Sequence, residues 1–407
     1  MSTDVLVIGA GAAGIAAARH LHDAGVDTLL IEARERIGGR AHTVHYRDAA
    51  LDLGCGWLHS ARRNSWTDVA RAAGFTIATD TARWGDQWRD LGYPPDEQAA
   101  FSRAWDAWEA RARTAASGPD QPLSAFVAHD DRWRPMLDAI SGYANGANLN
   151  DVSLHDWLAY EDAATEDNWA VREGYGTLVA QHAAGVRIRT GVVATHVDHS
   201  ARALHVSTSA GTITARVVIV AVPTTVLADE RLSFTPALPD KHHAAAALPL
   251  GVADKAFLSV DRADWPHDAH LIGNPYRTCT ASHRLSPFGW PMVESFFGGD
   301  CADQLEDGDA AAFAIDELVA LLGSDWRPRF TPITTTRWRH EAWIEGSYSH
   351  ARVGQADQRA MLSQPIDDRL FFAGEACSPH DFSTAHGARD TGLIAAAAAL
   401  RALTALS

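Results

Sequence analysis

The stretch Gly9-Ala10-Gly11-Ala12-Ala13-Gly14 constrains the fold of this chain more than any other. It follows a short β-branched run, Val5–Ile8, and opens an alanine-rich helical stretch from Ala12 to Ala24 that Gly25 closes. Thr28–Ile31 then reads as a second buried strand, so the first forty residues predict a βαβ unit and a parallel sheet. In G-x-G-x-x-G the first glycine permits a tight turn and the second lets backbone approach a pyrophosphate. The third allows close helix–strand packing. The helix N-terminus adds free N–H groups and the positive end of a dipole. Glu32, at the end of the second strand, is placed to accept hydrogen bonds from a ribose.

The next residues are Glu32-Ala33-Arg34-Glu35-Arg36-Ile37-Gly38-Gly39-Arg40. Arginines beside a Gly-Gly pair suit further contacts to a diphosphate, through bidentate forks and close backbone approach. Following GAGAAG, this EARERIGGR run resembles the FAD-binding fingerprint of flavin amine oxidases and their relatives. Leu51–Ser60 is similar to the family's segment along the flavin. Val218–Pro223, with Phe234–Pro239 after it, is similar to its strand, proline turn and F-x-P-x-L-P stretch. Leu370–Glu375 and Ser383–Ala388 resemble its C-terminal signature. Four motifs in the family's order are far more specific than one.

The resemblance implies an α/β fold: a Rossmann-like FAD-binding domain built from discontinuous segments, with an inserted α+β substrate-binding domain. The expected boundaries are 1–75, 176–245 and 336–407 for the first, and 76–175 and 246–335 for the second. Strand-like runs at Val186–Val197, Ala203–Ser209, Thr212–Val222 and Leu370–Ala373 fit the first. Helical spacing in Phe101–Arg113 and Asp151–Glu161, with strands near Lys255–Val260 and Val293–Phe297, fits the second.

Carried over position by position, the resemblance implies that Gly9, Gly11, Ala13 and Gly14 hold the FAD pyrophosphate and that Glu32 and Ala33 meet the adenosine ribose. Arg34, Gly39 and Arg40 would reach further phosphate oxygens. Gly54, Cys55, Gly56 and Trp57 would pass the isoalloxazine, with Trp338 beside it, and Val192 or Val193 would contact the adenine. Gly374 and Glu375 match the ribityl contact; Thr384 and Ala385 match the pyrimidine end. Lys255 matches the family lysine that holds a water against flavin N5, where an apolar site can keep its pKa depressed. It is one of only two lysines in the chain, with Lys241.

Nine residues after Trp338, where some members carry a cysteine bonded to the flavin, this chain has Ser347, which predicts non-covalent FAD. Tyr348 matches one wall of the aromatic cage, and Thr384 stands where monoamine oxidases have a second tyrosine. Phe382–Ala388 and Gly56–Ser60 are similar to the polyamine and spermine oxidase branch, with His59 able to orient an amine or accept its proton. The implied reaction is oxidation of a C–N bond by hydride transfer to flavin, with dioxygen as acceptor and hydrogen peroxide as product. Two other readings remain open at this point. An L-amino-acid oxidase would use Arg62 or Arg63 as a carboxylate clamp, and a catalytically silent FAD-binding protein would serve partner binding. A primary monoamine oxidase is a further alternative.

Composition narrows the partners. Lys plus Arg number 35 against 51 acids, a formal charge of −16, which repels phosphate backbones and anionic lipid and favours a small cationic amine. The acids Glu161, Asp162, Glu166 and Asp167 could line a polyamine tunnel or form a solvated helix face. No H-x-x-x-H or H-E-x-x-H pattern suggests a metal. The four cysteines lie far apart without C-x-x-C, and a chain of 407 residues needs no disulfide staple. An early acid, no basic leader and no long apolar run point to a cytoplasmic protein, with monomer and homodimer both open.

Overall fold

The computed structural model describes residues 1–80 and 82–405; of the expected domains, positions 81, 406 and 407 lie outside the described residues. Its larger sheet has eight strands. Gly211–Val220 and Ser2–Ile8 run parallel at its centre, followed by Thr28–Ile31 and Ile188–Arg189 on one side. On the other side come Leu204–Thr208, Ala194–Asp198 and Ser233–Thr235, while Leu370–Phe372 pairs with the upper half of Gly211–Val220. Both faces are covered. Val5, Val7, Leu30 and Val217 enter one apolar core, and Leu6, Ile8, Leu29 and Val218 the opposite one. That two-sided burial explains the nearly unbroken apolar runs in the sequence.

Register brings distant segments to one edge. Ile8 lies level with Ile31 and Val220, and Val220 with Phe372. Gly9, Glu32, Ala221 and Ala373 therefore all leave the carboxyl ends of the sheet side by side, where open α/β sheets bind ligands. Helix Ala12–Asp23 starts from this edge and packs against helix Ala385–Ala405. The approach is close enough that a Cβ on Gly392 would overlap the carbonyl of Ala13.

The second sheet is antiparallel, in the order Ala269–Ile272, Ser282–Leu285, Met292–Gly298, Ala253–Val260, Phe330–Thr335. Helices Arg134–Asn145, Gly299–Glu306 and Ala310–Leu322 pack on it.

One expectation changes. Val186–Val197 is not one strand, because Gly191 turns at φ +66 and separates Ile188–Arg189 from Ala194–Asp198. Between them Val192 N donates to Glu32 O at 2.8 Å, so the chain crosses the carboxyl edge there. The structure also adds a feature the sequence did not call for: Cys279 and Cys301 are bridged, tying the loop before Ser282 to helix Gly299–Glu306. A separation of 22 residues with no motif gave no signal for that pairing. No described helix is long and apolar enough to cross a membrane.

Candidate active site

A single cavity of about 1140 Å³ runs from the glycine loop to an aromatic chamber over the second sheet. At the first end, Gly9 turns at φ +100, and a Cβ there would overlap the carbonyl of Ala221. A Cβ on Gly14 would overlap the carbonyl of Gly9, so Gly14 packs the helix onto the strand and does not reach the cavity wall. This is the close helix–strand packing that the motif gives its third glycine. Gly11 differs: nothing lies within 4 Å of its would-be Cβ, and the space beside it is the cavity.

Glu32 is buried at the same edge, with Oε2 accepting from Ala10 N at 2.7 Å and Oε1 from Arg34 N at 3.0 Å. Arg34 lines the cavity and pairs with Glu341 through Nη2, while its Nη1 is buried without a partner. Arg36 turns away and donates to Gly39 O at 2.8 Å, so it shapes the Gly38-Gly39 turn and does not line the cavity. Ala13, Ala33, Gly39, Val192 and Val193 complete this end.

In the middle, Arg40 Nη1 donates to Ser347 O at 2.6 Å and to Glu375 Oε1 at 2.9 Å. Glu375 also accepts from Ser349 Oγ at 2.7 Å and Ser383 N at 2.9 Å. Burial disfavours its charge, yet Arg40, Ser349 and the buried Arg359 hold its carboxyl below the usual range. Gly54 tucks against Arg40 O and the Trp338 ring, and Trp338 Nε1 donates to Leu53 O at 3.2 Å. Burial pushes the Cys55 thiol up to about 12, so it is a neutral wall. Trp57, Gly374 and Ala385 line the same stretch.

Lys255 departs from the picture of an isolated, desolvated amine. Its Nζ donates to Asp52 O at 2.8 Å and forms an ion pair with Glu294 Oε1 at 2.8 Å. Cross-strand register explains the meeting: Phe257, Glu294 and Arg284 stand level on three neighbouring strands, and Lys255 lies two residues before Phe257 on the same face. Burial raises the Glu294 pKa, but Lys255 and Arg284 outweigh it and hold the carboxyl low. Arg284 lies 4.8 Å over the Trp57 ring. An acid in a strand carried no legible role until pairing placed it beside Lys255.

His59 Nδ1 bonds to Asn168 Oδ1 at 2.7 Å, which leaves Nε2 as the acceptor of the neutral ring. Burial lowers its pKa to about 4 from 6.5. The unfolded chain therefore takes up the proton first, and this group costs stability as pH falls from 6.5 to 4. The His59 ring resonance followed by NMR is expected to titrate with a midpoint near 4; a midpoint near 6.5 contradicts this burial. Tyr348 donates to Tyr143 O, and burial raises its phenol well above 10. Thr384 lines the cavity, but its hydroxyl donates to Asp381 O at 2.6 Å and accepts from Gly387 N at 3.0 Å. That hydroxyl caps helix Ala385–Ala405, and its one proton is already donated.

The acidic cluster divides. Glu161 and Glu166 line the aromatic chamber, with Trp84, Tyr93, Phe101 and Trp105. Burial raises the Glu161 carboxyl, whereas Asp162 pairs with Arg113 and Asp167 with Arg62 outside the cavity. Arg63 is held bidentate by Asp381 at 2.9 and 2.6 Å. Neither Arg62 nor Arg63 lines the cavity, so the carboxylate clamp of an amino-acid oxidase is absent from both positions.

This geometry defines a dinucleotide cradle opening onto an apolar chamber, and the sequence agrees: the chain belongs to the family of flavin containing amine oxidoreductases, matched over residues 12–163 and 95–400. FAD is its cofactor, and it is an oxidoreductase acting on amine donors. Among individual proteins, it is 29% identical to polyamine oxidase 2 of Arabidopsis thaliana over 441 residues, covering 97% of this chain and 87% of that one. It is 27% identical to polyamine oxidase 4 of Oryza sativa subsp. japonica over 434 residues, covering 96% and 87%. In fold it is similar to putrescine oxidase solved with putrescine, at a TM-score of 0.78 and 18% identity, with 98% of each chain covered. The residues present fit FAD: Gly11 borders open space, Arg34 Nη1 lacks a partner, and Gly9 and Gly54 on the cavity wall admit no side chain.

Proposed function

We propose that this protein oxidises a C–N bond of a polyamine or a related amine, giving an imine that hydrolyses to aldehyde plus amine, with dioxygen as acceptor and hydrogen peroxide as product. The observation that carries this reading is the continuity of the cavity from the glycine loop, past Trp57 and Lys255, to a chamber of aromatic rings with Glu161 and Glu166 on its wall. The named relatives are polyamine oxidases, and the formal charge of −16 favours a cationic substrate.

The chemistry FAD supplies when bound is two-electron acceptance at N5. On this reading Gly9, Gly11 and Ala13 meet the pyrophosphate, Glu32 and Ala33 the ribose, and Arg34, Gly39 and Arg40 the remaining phosphate oxygens. Val192 or Val193 meets the adenine. Glu375 and Gly374 face the ribityl chain, and Gly54, Cys55, Gly56, Trp57, Trp338, Thr384 and Ala385 enclose the ring. His59 Nε2 accepts a hydrogen bond or proton from the amine nitrogen. Tyr348 flanks that nitrogen, and Lys255 holds a water by its remaining N–H. The aromatic chamber strips water from the alkyl chain and aligns it.

The same proposal assigns 1–75, 176–245 and 336–407 to FAD and 76–175 with 246–335 to the substrate. A cytoplasmic setting belongs to it too, although the Cys279–Cys301 bridge is of a kind rare in that compartment.

Oxygen uptake with spermine, spermidine, an N-acetylated polyamine, putrescine, a benzylic amine and two L-amino acids tests the substrate class. Uptake with a polyamine and peroxide formed supports it; uptake with an amino acid alone overturns it. The same reading holds the cofactor without a covalent bond, since Ser347, whose hydroxyl is bonded to Ala253 N and O, each at 2.8 Å, has no thiol to form a thioether. Acid precipitation is expected to release all the yellow colour to the supernatant, and colour kept in the pellet contradicts this.

A further inference from the structure

On the face of strand Ala253–Val260 opposite Lys255 lies Asp254, only 2% exposed. Its carboxyl lies beside that of Glu306, at the end of helix Gly299–Glu306 and 4% exposed. Asp254 Oδ1 accepts from Thr336 Oγ1 at 2.5 Å and from Trp338 N at 3.2 Å, and Glu306 Oε1 accepts from Arg339 N at 2.7 Å. The two remaining oxygens, Asp254 Oδ2 and Glu306 Oε2, have no donor. Two bare carboxylates in contact repel strongly in a dry interior, and one proton between them turns that contact into a hydrogen bond.

We infer that Asp254 and Glu306 share one proton, and that this protonated pair is a positioning element for Lys255 and Trp338 on the cavity wall. Both are tied to it through backbone. Thr336 Oγ1, the donor to Asp254, itself accepts from Lys255 N at 2.8 Å, and Trp338 N donates to Asp254 directly. The inference rests on the proposed roles of Lys255 and Trp338 only for its kinetic consequence.

The charged surroundings leave the proton in place. From the segment 338–340, His340 Nε2 lies 3.4 Å from Glu306 Oε2 and 3.5 Å from Asp307, pairing with them only when protonated. Arg339 is occupied by Asp303 at 3.2 Å. Lys255, the nearest lysine in sequence, points across the strand to Glu294. Tyr348, from the loop after Gly346, has its phenol raised in part by Asp254. Burial first, and then Glu306, push the Asp254 carboxyl up to about 8 from 3.8. The unfolded chain loses this proton near 3.8 and the folded chain near 8. The pair's contribution to stability is therefore full below the first value and is lost as pH rises to the second.

The test uses the holoenzyme and the variants Asp254→Asn, Glu306→Gln and Asp254→Ala. Infrared spectra of the wild type are expected to carry a protonated-carboxyl band at neutral pH that disappears at high pH and is absent from both amide variants. The melting temperature of the wild type falls between pH 6 and 9, and that of Asp254→Asn falls less. The limiting rate of flavin reduction drops about tenfold or more in Asp254→Ala and recovers in Asp254→Asn. A band unchanged in both amide variants overturns the shared proton. An Asp254→Asn enzyme as slow as Asp254→Ala overturns the positioning role. The infrared and melting readouts need no substrate, so they fail separately from the proposed activity.

Discussion

With Lys255 replaced by methionine, the protein is expected to stay yellow and to turn over on the order of 10²- to 10⁴-fold more slowly, the scale set by loss of a placed proton-handling group. The lysine is not a peripheral charge. It joins Asp52 O on the flavin-side segment to Glu294 on the second sheet, and its Nζ lies 3.4 Å from where a Cβ of Gly56 would be. Methionine fills the same space and supplies no N–H. It also leaves Glu294 with Arg284 at 3.7 Å as its remaining cation, and Arg284 is already bound to Asp268. Breaking a buried pair from one side costs about 3–5 kcal/mol, so this variant melts earlier. Adding Glu294→Gln removes the orphaned charge and is expected to recover stability without recovering turnover. Stopped-flow rates and melting curves on the same three proteins check both parts. Wild-type turnover in the single variant, or recovered turnover in the double, would reduce Lys255 to a structural strut.

Gly11→Val is expected to give a folded, colourless protein. Gly11 has φ −79 and ψ −174, a backbone that valine adopts readily, and no protein atom lies within 4 Å of its would-be Cβ. The side chain enters the cavity where the proposal sets the pyrophosphate. A loss of FAD affinity of at least about 100-fold, roughly 2.7 kcal/mol, follows from that overlap. Gly14→Val makes the contrasting case, since its Cβ collides with Gly9 O inside the helix–strand contact and destabilises the fold itself. Flavin titration of the apoproteins with their melting curves separates the two. A yellow Gly11→Val protein would place the pyrophosphate elsewhere.

These contrasts mark what a sequence can carry. The glycine loop, Glu32 and the strands on either side were legible because their meaning is local: turn, helix start and strand end lie within forty residues. Even there, chain direction decided between arginines, since Arg34 lines the cavity and Arg36 folds back to Gly39. Thr384 carries a second role that its motif did not show: a threonine before a helix is as much a cap as a wall. Glu294 was invisible because its partner lies 39 positions away in sequence and is fixed only by strand register. Asp254, adjacent to Lys255, belongs to the opposite face and meets Glu306 only once a helix packs behind the sheet. Side chains whose partners come from another strand or helix were the ones missed.

The central claim is that one cavity presents an amine to bound FAD, and anaerobic mixing of the purified protein with spermine tests it most directly. The account predicts bleaching of the flavin's visible absorbance in a single fast phase, restored by air with one peroxide formed per flavin. An oxidised spectrum that persists with spermine and with every other amine of the panel would contradict it.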